Sequence, residues 1–380
     1  MNNYDYIIIG AGASGLLLAN AMLNDSFFNH KKILLLDKDP KNTNDRTWCF
    51  WEKGDGQFEA IVHKKWNSIH FQGEDVLKRT EISPYSYKMI KSIDFYNHYL
   101  SQIKESTNIT FIQEALVNLF ETDTEVTVQT TNNTYTGKYL FNSLFDYKMA
   151  TGQSKYPVLQ QHFVGWVIKT EKPIFNTNEV TYMDFSIPQK GNTRFMYVLP
   201  FANDTALIEY TLFSEQLLPK AEYEAAIKDY IVERFQCENY AVIEKEAGSI
   251  PMTAYDFREH HTNRIRYIGT AGGWAKPSTG YTLMSTAKKI PKLVDFIKQG
   301  KPLQKLKLKG KFWFYDMLFL DVLHHDNANG HIVFESIFKT LKPQMVFKFL
   351  DENTSLKEDI IYINACPKIP FIKALLKRIF

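Results

Sequence analysis

A glycine fingerprint near the N-terminus constrains this chain more than any other stretch. Tyr4-Asp-Tyr-Ile-Ile-Ile-Gly-Ala-Gly-Ala-Ser-Gly places a short β-branched run, Ile7 to Ile9, ahead of Gly10, Gly12 and Gly15. Such a run suits a parallel strand buried on both faces, and the apolar stretch Leu16 to Leu23 after it suits a helix. The first glycine permits a tight turn, and the second lets a pyrophosphate approach the backbone. The third lets the helix pack on the strand. Ala13 and Ser14 lie between the second and third, at the positive end of the helix where the phosphates would sit. Ile33-Leu-Leu-Leu reads as the second strand. Asp37 ends it about 20 residues beyond the last glycine, where a ribose-binding acid belongs, and Lys38 stands beside it. An ordinary glycine turn is the competing reading. Strand, glycines, helix, strand and acid in register outweigh it, and the stretch is assigned as a dinucleotide-binding βαβ unit.

With 380 residues the chain has room for two domains around a large core. A formal charge of +3 gives no reason to expect a nucleic-acid partner. Cys49, Cys237 and Cys366 are scattered and odd in number, so neither a disulfide framework nor a zinc site is indicated. The pairs His260-His261 and His324-His325, the latter with Asp321 and Asp326 nearby, lack a coherent ligand spacing, and no metal is expected. The fingerprint begins within a few residues of Met1, which argues against a signal peptide, and no apolar run is long enough to span a bilayer. The expected compartment is the cytoplasm.

Further along, Ile93 to Ile103 has the pattern of an amphipathic helix. Ile109-Thr-Phe-Ile and Glu125-Val-Thr-Val-Gln-Thr read as strands, the latter turning at Asn132-Asn133 into Tyr135 to Phe141. Residues 157 to 213 alternate in short β-like runs, which predicts an antiparallel sheet forming a separate layer. Residues 221 to 235 read as helix, and Ile265-Arg-Tyr-Ile-Gly as a strand returning to the nucleotide fold. Between Lys288 and Lys311 stand nine lysines and one acid, Asp295. At the C-terminus Phe371, Ile372, Leu375, Leu376 and Ile379 fall on one helical face, with Lys373, Lys377 and Arg378 largely opposite. Such a basic amphipathic end suits the interface of an anionic membrane, here the inner face. A terminal helix docked on its own domain with a solvated basic face is the alternative.

Several separated motifs, in order, resemble the flavin-dependent lycopene cyclases of bacterial type. They are the fingerprint, Asp45-Arg-Thr-Trp-Cys-Phe-Trp, Gln160-Gln-His-Phe-Val-Gly-Trp, Met183-Asp-Phe, Phe195-Met-Tyr-Val-Leu-Pro-Phe and Ala206-Leu-Ile-Glu-Tyr-Thr. Then follow Gly248-Ser-Ile-Pro-Met, Gly269-Thr-Ala-Gly-Gly-Trp-Ala-Lys-Pro-Ser-Thr-Gly-Tyr and Phe319-Leu-Asp. The resemblance covers nearly the whole chain. It implies an α/β (α+β) fold: an FAD-binding Rossmann-like domain of the glutathione-reductase and aromatic-hydroxylase type, an inserted antiparallel β-sheet substrate domain and a C-terminal helical segment. The expected division is 1–75 for the first part of the FAD domain and 76–150 for its further strands with the start of the substrate domain. Residues 151–245 would form the sheet of the substrate domain, 246–300 the return to the FAD domain, and 301–380 a basic helical segment that associates with membranes.

The implied reaction is closure of the acyclic ends of lycopene, or a related carotenoid, into β-ionone rings, an isomerisation without net redox change. The resemblance also implies that FAD acts in its reduced form, with NAD(P)H as the electron donor. Protonating an alkene demands a well-placed acid in a water-poor site. Glu209 lies in an apolar strand where desolvation would keep it protonated, and the Glu of this motif is essential in the resembling family. A strand carboxylate facing solvent is the competing reading, because Glu209 shares its face with Leu207 and Thr211. Relatives often carry a second acid after this Glu, whereas Tyr210 stands here. Asp184 is the second acidic candidate, with a turn or cap as its alternative role. Trp48, Trp51, Phe163, Trp166 and Phe185 either line a polyene site, their π faces stabilising a cation, or pack in the core. Gly269, Gly272, Gly273, Thr279, Gly280 and Tyr281 belong to the loop expected to hold the flavin, ahead of a helix starting near Thr282. Arg46 either contacts the cofactor phosphate or pairs with Asp45. The competing functions are an FAD-dependent hydroxylase or prenyl reductase acting on an apolar polyene or isoprenoid, and a non-catalytic carotenoid- or membrane-binding flavoprotein. Oligomeric state is left open.

Overall fold

The computed structural model describes residues 2–379, so Phe380, the last residue of the expected C-terminal helix, lies outside it. The chain divides into two units, each built from three separate stretches. The first takes in the chain up to Trp48, Ile90–Lys155 and Ala254–Lys311, and the second Cys49–Met89, Tyr156–Thr253 and the chain from Phe312 onward.

The first unit is the nucleotide fold. Its sheet runs in the order Ile109–Gln113, Ile33–Asp37, Asn2–Ile9, Thr134–Asn142, Val126–Thr130 and Leu116–Glu121, with Ile265–Tyr267 beside Thr134–Asn142. The N-terminal strand pairs in parallel with both neighbours, Ile7 opposite Leu34 on one side and Leu140 on the other. Being central, it is covered on both faces, which is why Ile7, Ile8 and Ile9 are almost wholly buried and the run shows no alternation. The return strand pairs with Thr134–Asn142 in parallel, Leu140 opposite Ile265, as its sequence predicts. The segment Leu116–Glu121 is a strand that its mixed sequence does not announce. It is antiparallel to Val126–Thr130 and leaves Val117 and Phe120 exposed at the edge of the sheet.

The second unit is built on a seven-stranded sheet in the order Tyr240–Thr253, Val158–Thr170, Thr205–Ser214, Arg194–Pro200, Glu179–Asp184, Ser68–Gln72 and Leu77–Glu81. The expected strands between residues 157 and 213 are all present, but the sheet is not purely antiparallel. Ser68–Gln72 joins Glu179–Asp184 in parallel, bringing an early segment to the far side of the sheet. The strand Tyr240–Thr253 is disguised by its Glu244-Lys-Glu run and by Pro251. A proline and polar residues are tolerated there because the strand lies at the sheet edge.

One face of this sheet packs on the helix Lys220–Phe235. Val164, Trp166, Ile168, Met196, Val198, Ile208, Tyr210 and Leu212 meet Tyr223, Ile227, Tyr230 and Ile231 there. The other face meets the C-terminal helices through aromatic rings. Phe185 lies 5.4 Å from Phe195 and 5.3 Å from Phe334, and Phe213 lies 5.8 Å from Phe334. Among the described residues five α-helices follow: Lys311–His325, Gly330–Thr340, Pro343–Leu350, Leu356–Ala365 and Lys368–Ile379.

Candidate functional site

In the first unit the three glycines divide their work as the fingerprint requires. Gly10 adopts φ 94° and donates its N–H to the Leu36 carbonyl at 2.7 Å, closing the turn out of the strand. Gly12 is the N-cap of the helix Ala13–Leu23, and a Cβ built on it meets nothing within 4 Å. A Cβ on Gly15 would run into the Gly10 carbonyl and lie 3.3 Å from Ile8 Cγ2, so only glycine lets helix and strand approach. No acidic residue stands in the first turn of this helix, so its positive end is not neutralised from within. Asp37 accepts the Ala11 N–H at 2.6 Å through Oδ2 and the Asp39 N–H at 2.9 Å through Oδ1, with Lys41 Nζ at 3.4 Å. The acid at the end of the second strand therefore also holds the glycine loop in shape. Lys38 beside it is exposed.

The structure brings the return loop to this cradle. Gly269 adopts φ 59°, and a Cβ there would sit 2.9 Å from Ser14 Cβ. The Ser14 hydroxyl lies 3.4 Å from that of Thr286, in the helix Leu283–Lys298 whose N-cap is Thr282. Gly273 and Gly280 are also left-handed, at φ 68° and 70°. The Lys276 carbonyl accepts from the N–H groups of Thr279 and Gly280, and the Lys276 N–H donates to Tyr281, which folds the end of the loop into a tight turn. Gly272 is held close over the Tyr267 carbonyl, with no room for a side chain. Arg46 makes a long ion pair with Asp45. The pair is 3.9 Å apart with 65% of the Arg46 side chain exposed, while Asp45 is held by Ser92 and Tyr96, each at 2.9 Å. Trp48 also belongs to this unit, edge-on to Phe95 at 5.0 Å and to Tyr96 at 6.1 Å.

In the second unit the register sets Glu209 in a row running Tyr197, Glu209, Gly165, Glu246 across four adjacent strands. Residues directly opposite in an antiparallel ladder share a face, so this row turns away from the helix Lys220–Phe235. Glu209 is buried, and Oε1 accepts a hydrogen bond from the Thr211 hydroxyl at 2.6 Å. Its carboxyl is pushed well above the ordinary range, first by desolvation and then by the neighbouring carboxyl of Glu246. Tyr197 donates to the Tyr87 hydroxyl at 2.8 Å. The Cys49 thiol is hydrogen-bonded to both tyrosines and feels both carboxyls, its pKa raised chiefly by burial. Phe163 lies on the same face, opposite Thr211, its ring filling the space that a side chain on Gly248 would need.

The other expected residues separate. Asp184 and Trp166 lie on the opposite face. Asp184 accepts from the Ser186 N–H at 2.9 Å and hydroxyl at 2.5 Å, and from Tyr230 OH at 2.9 Å, so both carboxyl oxygens are occupied in a turn and a tie to the helix. Trp166 is buried against that helix, with Lys245 Nζ 4.6 Å from its ring. Trp51 stacks on Phe347 at 4.8 Å, and Phe185 joins the Phe195 and Phe334 cluster. Sequence reasoning missed Glu246, Tyr197, Tyr87, Phe195 and Phe213 as site candidates. Tyr197 and Phe195 lay in a quoted motif, whereas Glu246 was hidden in a strand not recognised as one. Among the described residues no group of His, Cys, Asp or Glu is placed to hold a metal ion.

The glycine cradle, the parallel sheet and the inserted second sheet define an FAD-binding Rossmann-type fold. Similar solved chains include a flavoprotein/dehydrogenase from Cytophaga hutchinsonii, with TM-score 0.65 and 12% identity over 100% of this chain and 99% of that one. A geranylgeranyl bacteriochlorophyll reductase-like protein from Thermoplasma acidophilum gives 0.57 and 12% over 99% and 96%. The halogenase PltM, solved in complex with FAD, gives 0.61 and 12% over 92% and 82%. At that identity the likeness is one of fold. Residues 5–376 match the family model described as lycopene cyclase protein, and the chain belongs to that family. A lycopene beta-cyclase from Paracoccus sp. is 33% identical over 133 residues, a stretch covering 34% of this chain and 34% of that relative.

Proposed function

We propose that this chain is a lycopene β-cyclase that closes the acyclic ends of lycopene through γ-carotene to β-carotene, with Glu209 as the acid that starts each ring. The observation that carries this reading is a buried carboxyl, its pKa raised by desolvation and by Glu246, on a sheet face rich in aromatic rings. Glu209 gives its proton to the terminal double bond, the resulting cation is attacked by the neighbouring double bond, and loss of a proton leaves the ring alkene. Burial of the acid excludes the water that would otherwise trap the cation. Phe163, Phe195, Tyr197 and Phe213 present π faces that stabilise positive charge. Asp184 serves the fold at this site, its oxygens being committed to Ser186 and Tyr230.

The residues of the first unit fit FAD. Gly12 leaves open space at the head of a helix, and Gly10, Ala13, Ser14, Gly15, Asp37 and Lys38 surround it. Gly269, Gly272, Gly273, Thr279, Gly280 and Tyr281 form the facing loop, and Arg46, largely exposed and only distantly paired with Asp45, offers its guanidinium to the phosphates. When bound and reduced at the expense of NAD(P)H, FAD supplies negative charge that favours a cationic intermediate without being consumed.

We further assign the C-terminal helices to a membrane surface, where so apolar a substrate resides. Ile369, Ile372, Leu376 and Ile379 are 68%, 54%, 49% and 62% exposed along the last helix, and Leu356, Ile360 and Ile363 are exposed on the helix before it. This stripe differs from the expected one. Phe371 and Leu375 turn partly inward, and Arg378 is withdrawn into a bidentate pair with Asp321, leaving Lys368, Lys373 and Lys377 exposed. No helix among the described residues is long and apolar enough to cross a membrane, so attachment would be peripheral.

The test is anaerobic incubation with lycopene in liposomes and reduced FAD in deuterated water. Cyclic product carrying solvent deuterium, with no flavin electrons consumed, is the expected result. Absence of cyclic product with flavin bound and reduced, or turnover that consumes oxygen or NAD(P)H in step with product, would overturn the reading in favour of a redox enzyme.

A further inference from the structure

Glu209 and Glu246 stand opposite the same residue, Gly165, from the two strands that flank it. Strands once removed are about 10 Å apart at the backbone, so two carboxyls in one row meet only by leaning over the residue between them. Glycine makes that possible. A Cβ at position 165 would lie 3.2 Å from Glu246 Cγ, 3.4 Å from Glu246 Oε1 and 2.9 Å from Leu207 Cδ1. With the space clear, the Glu246 side chain lies over Gly165 toward Glu209, whose pKa it raises, and two carboxyls this close can share a proton in a hydrogen bond. Cys49, Tyr87 and Tyr197 are titratable groups that reach the pair, and each is neutral in its protonated form. Lys245 points to the opposite face, where it lies over Trp166 and pairs with Glu224 at 2.9 Å.

We propose that Glu209 and Glu246 work as a single carboxyl pair with one shared proton, Glu246 being the positioning partner that keeps the proton on Glu209. This rests on the cyclase reading above. The charge of Glu246 opposes ionisation of Glu209 at pH values where a lone carboxyl would be empty. In the reaction the Glu209 O–H bond breaks as a C–H bond forms at the terminal alkene carbon. Ring closure then makes the C–C bond, and a C–H bond next to the cation breaks to form the ring alkene. That proton returns to the pair, so atoms and electrons balance with no oxidant or reductant.

Infrared titration of the purified, substrate-free protein reads the pair directly through the band of a protonated carboxyl, assigned by its loss in Glu209→Gln. In Glu246→Gln, which keeps a hydrogen-bonding side chain but no charge, the Glu209 band is expected to titrate at a pH at least one unit lower. The alkaline limb of kcat/KM for cyclisation should move the same way. Gly165→Ala retains both carboxyls but separates them and should reproduce the shift. Flavin binding and circular dichroism report whether either variant is folded, and the two substitutions perturb the sheet differently, so one folded variant suffices. An unchanged band titration in a folded variant would overturn the pair. A shifted band with an unmoved kcat/KM limb would overturn its role in turnover. A shifted band with no cyclic product from the parent protein would leave the pair standing and fail the cyclase reading instead.

Discussion

The glycine cradle offers a test in which stability and binding part company. Gly12 and Gly15 belong to one motif but have opposite surroundings, open space at the first and the Gly10 carbonyl at the second. Gly12→Ala places its methyl in the open, and the backbone there (φ −79°, ψ −170°) is one that any residue adopts. The weaker capping preference of alanine is offset by its smaller unfolded-state entropy, about 0.4–1 kcal/mol, so apo stability should stay within about 1 kcal/mol of the parent. Gly15→Ala forces helix and strand apart. Overpacking costs about 1–3 kcal/mol against a gain of at most about 1 kcal/mol in helix propensity. The second variant should therefore melt several degrees lower. If the open space at Gly12 is where the diphosphate sits, Gly12→Ala should weaken FAD binding at least about tenfold, or 1.4 kcal/mol, with the apo melting curve unchanged. Thermal unfolding of the apo chain and FAD titration by fluorescence quenching check both halves. Parental FAD affinity in Gly12→Ala would refute the placement of the phosphates, and an unshifted melt in Gly15→Ala would refute the packing argument.

Glu209→Gln is expected to retain FAD and lower the cyclisation rate by about 10²–10⁴-fold, the usual worth of a general acid, measured by product formation in liposomes. The same variant has a pH signature. Because the folded state holds a proton on Glu209 that the unfolded chain releases, this group's contribution is full below the ordinary carboxylate pKa and is lost as pH rises through the raised value. Glu209→Gln should then match the parent in mild acid and exceed it in denaturant resistance at alkaline pH. His70 and His162 are pushed down to about 4 and His261 to about 3, each mainly by burial. They favour the fold above the ordinary histidine pKa of 6.5 and withdraw that support as pH falls from there toward 4. Denaturation midpoints should drop across that window, and less steeply in His70→Gln. Serine at Ile369, Ile372 and Leu376 should reduce liposome partitioning while flavin binding is kept. These substitutions are a cleaner probe than deleting residues 371–380, which would also break the Arg378–Asp321 pair.

The legible parts of this molecule are those whose sequence carries a one-dimensional signal. Ile7 to Ile9, the three glycines and Asp37 could be placed because strand, turn and helix are consecutive, and each residue type answers a local requirement. Nothing local joins Ser14 to Gly269 and Thr286, yet glycine at 269 is needed because Ser14 comes so close. Alternation along Thr205–Ser214 put Glu209 with Leu207 and Thr211 but could not say which face met the helix Lys220–Phe235. That is settled by strand order, which also sends Trp166 and Asp184 to the far face.

Glu246 is the instructive case. Its strand violates central-strand rules, with a Glu-Lys-Glu run and a proline, because at the sheet edge one side of the backbone has no ladder to complete. The same edge position allows a charged side chain to bend inward over Gly165 and reach a buried carboxyl while the residue itself is only half-buried. The acidity of Glu209 thus depends on a glycine on the next strand and on an edge one strand beyond it, a dependence carried by sheet register, with no trace in the spacing along the chain.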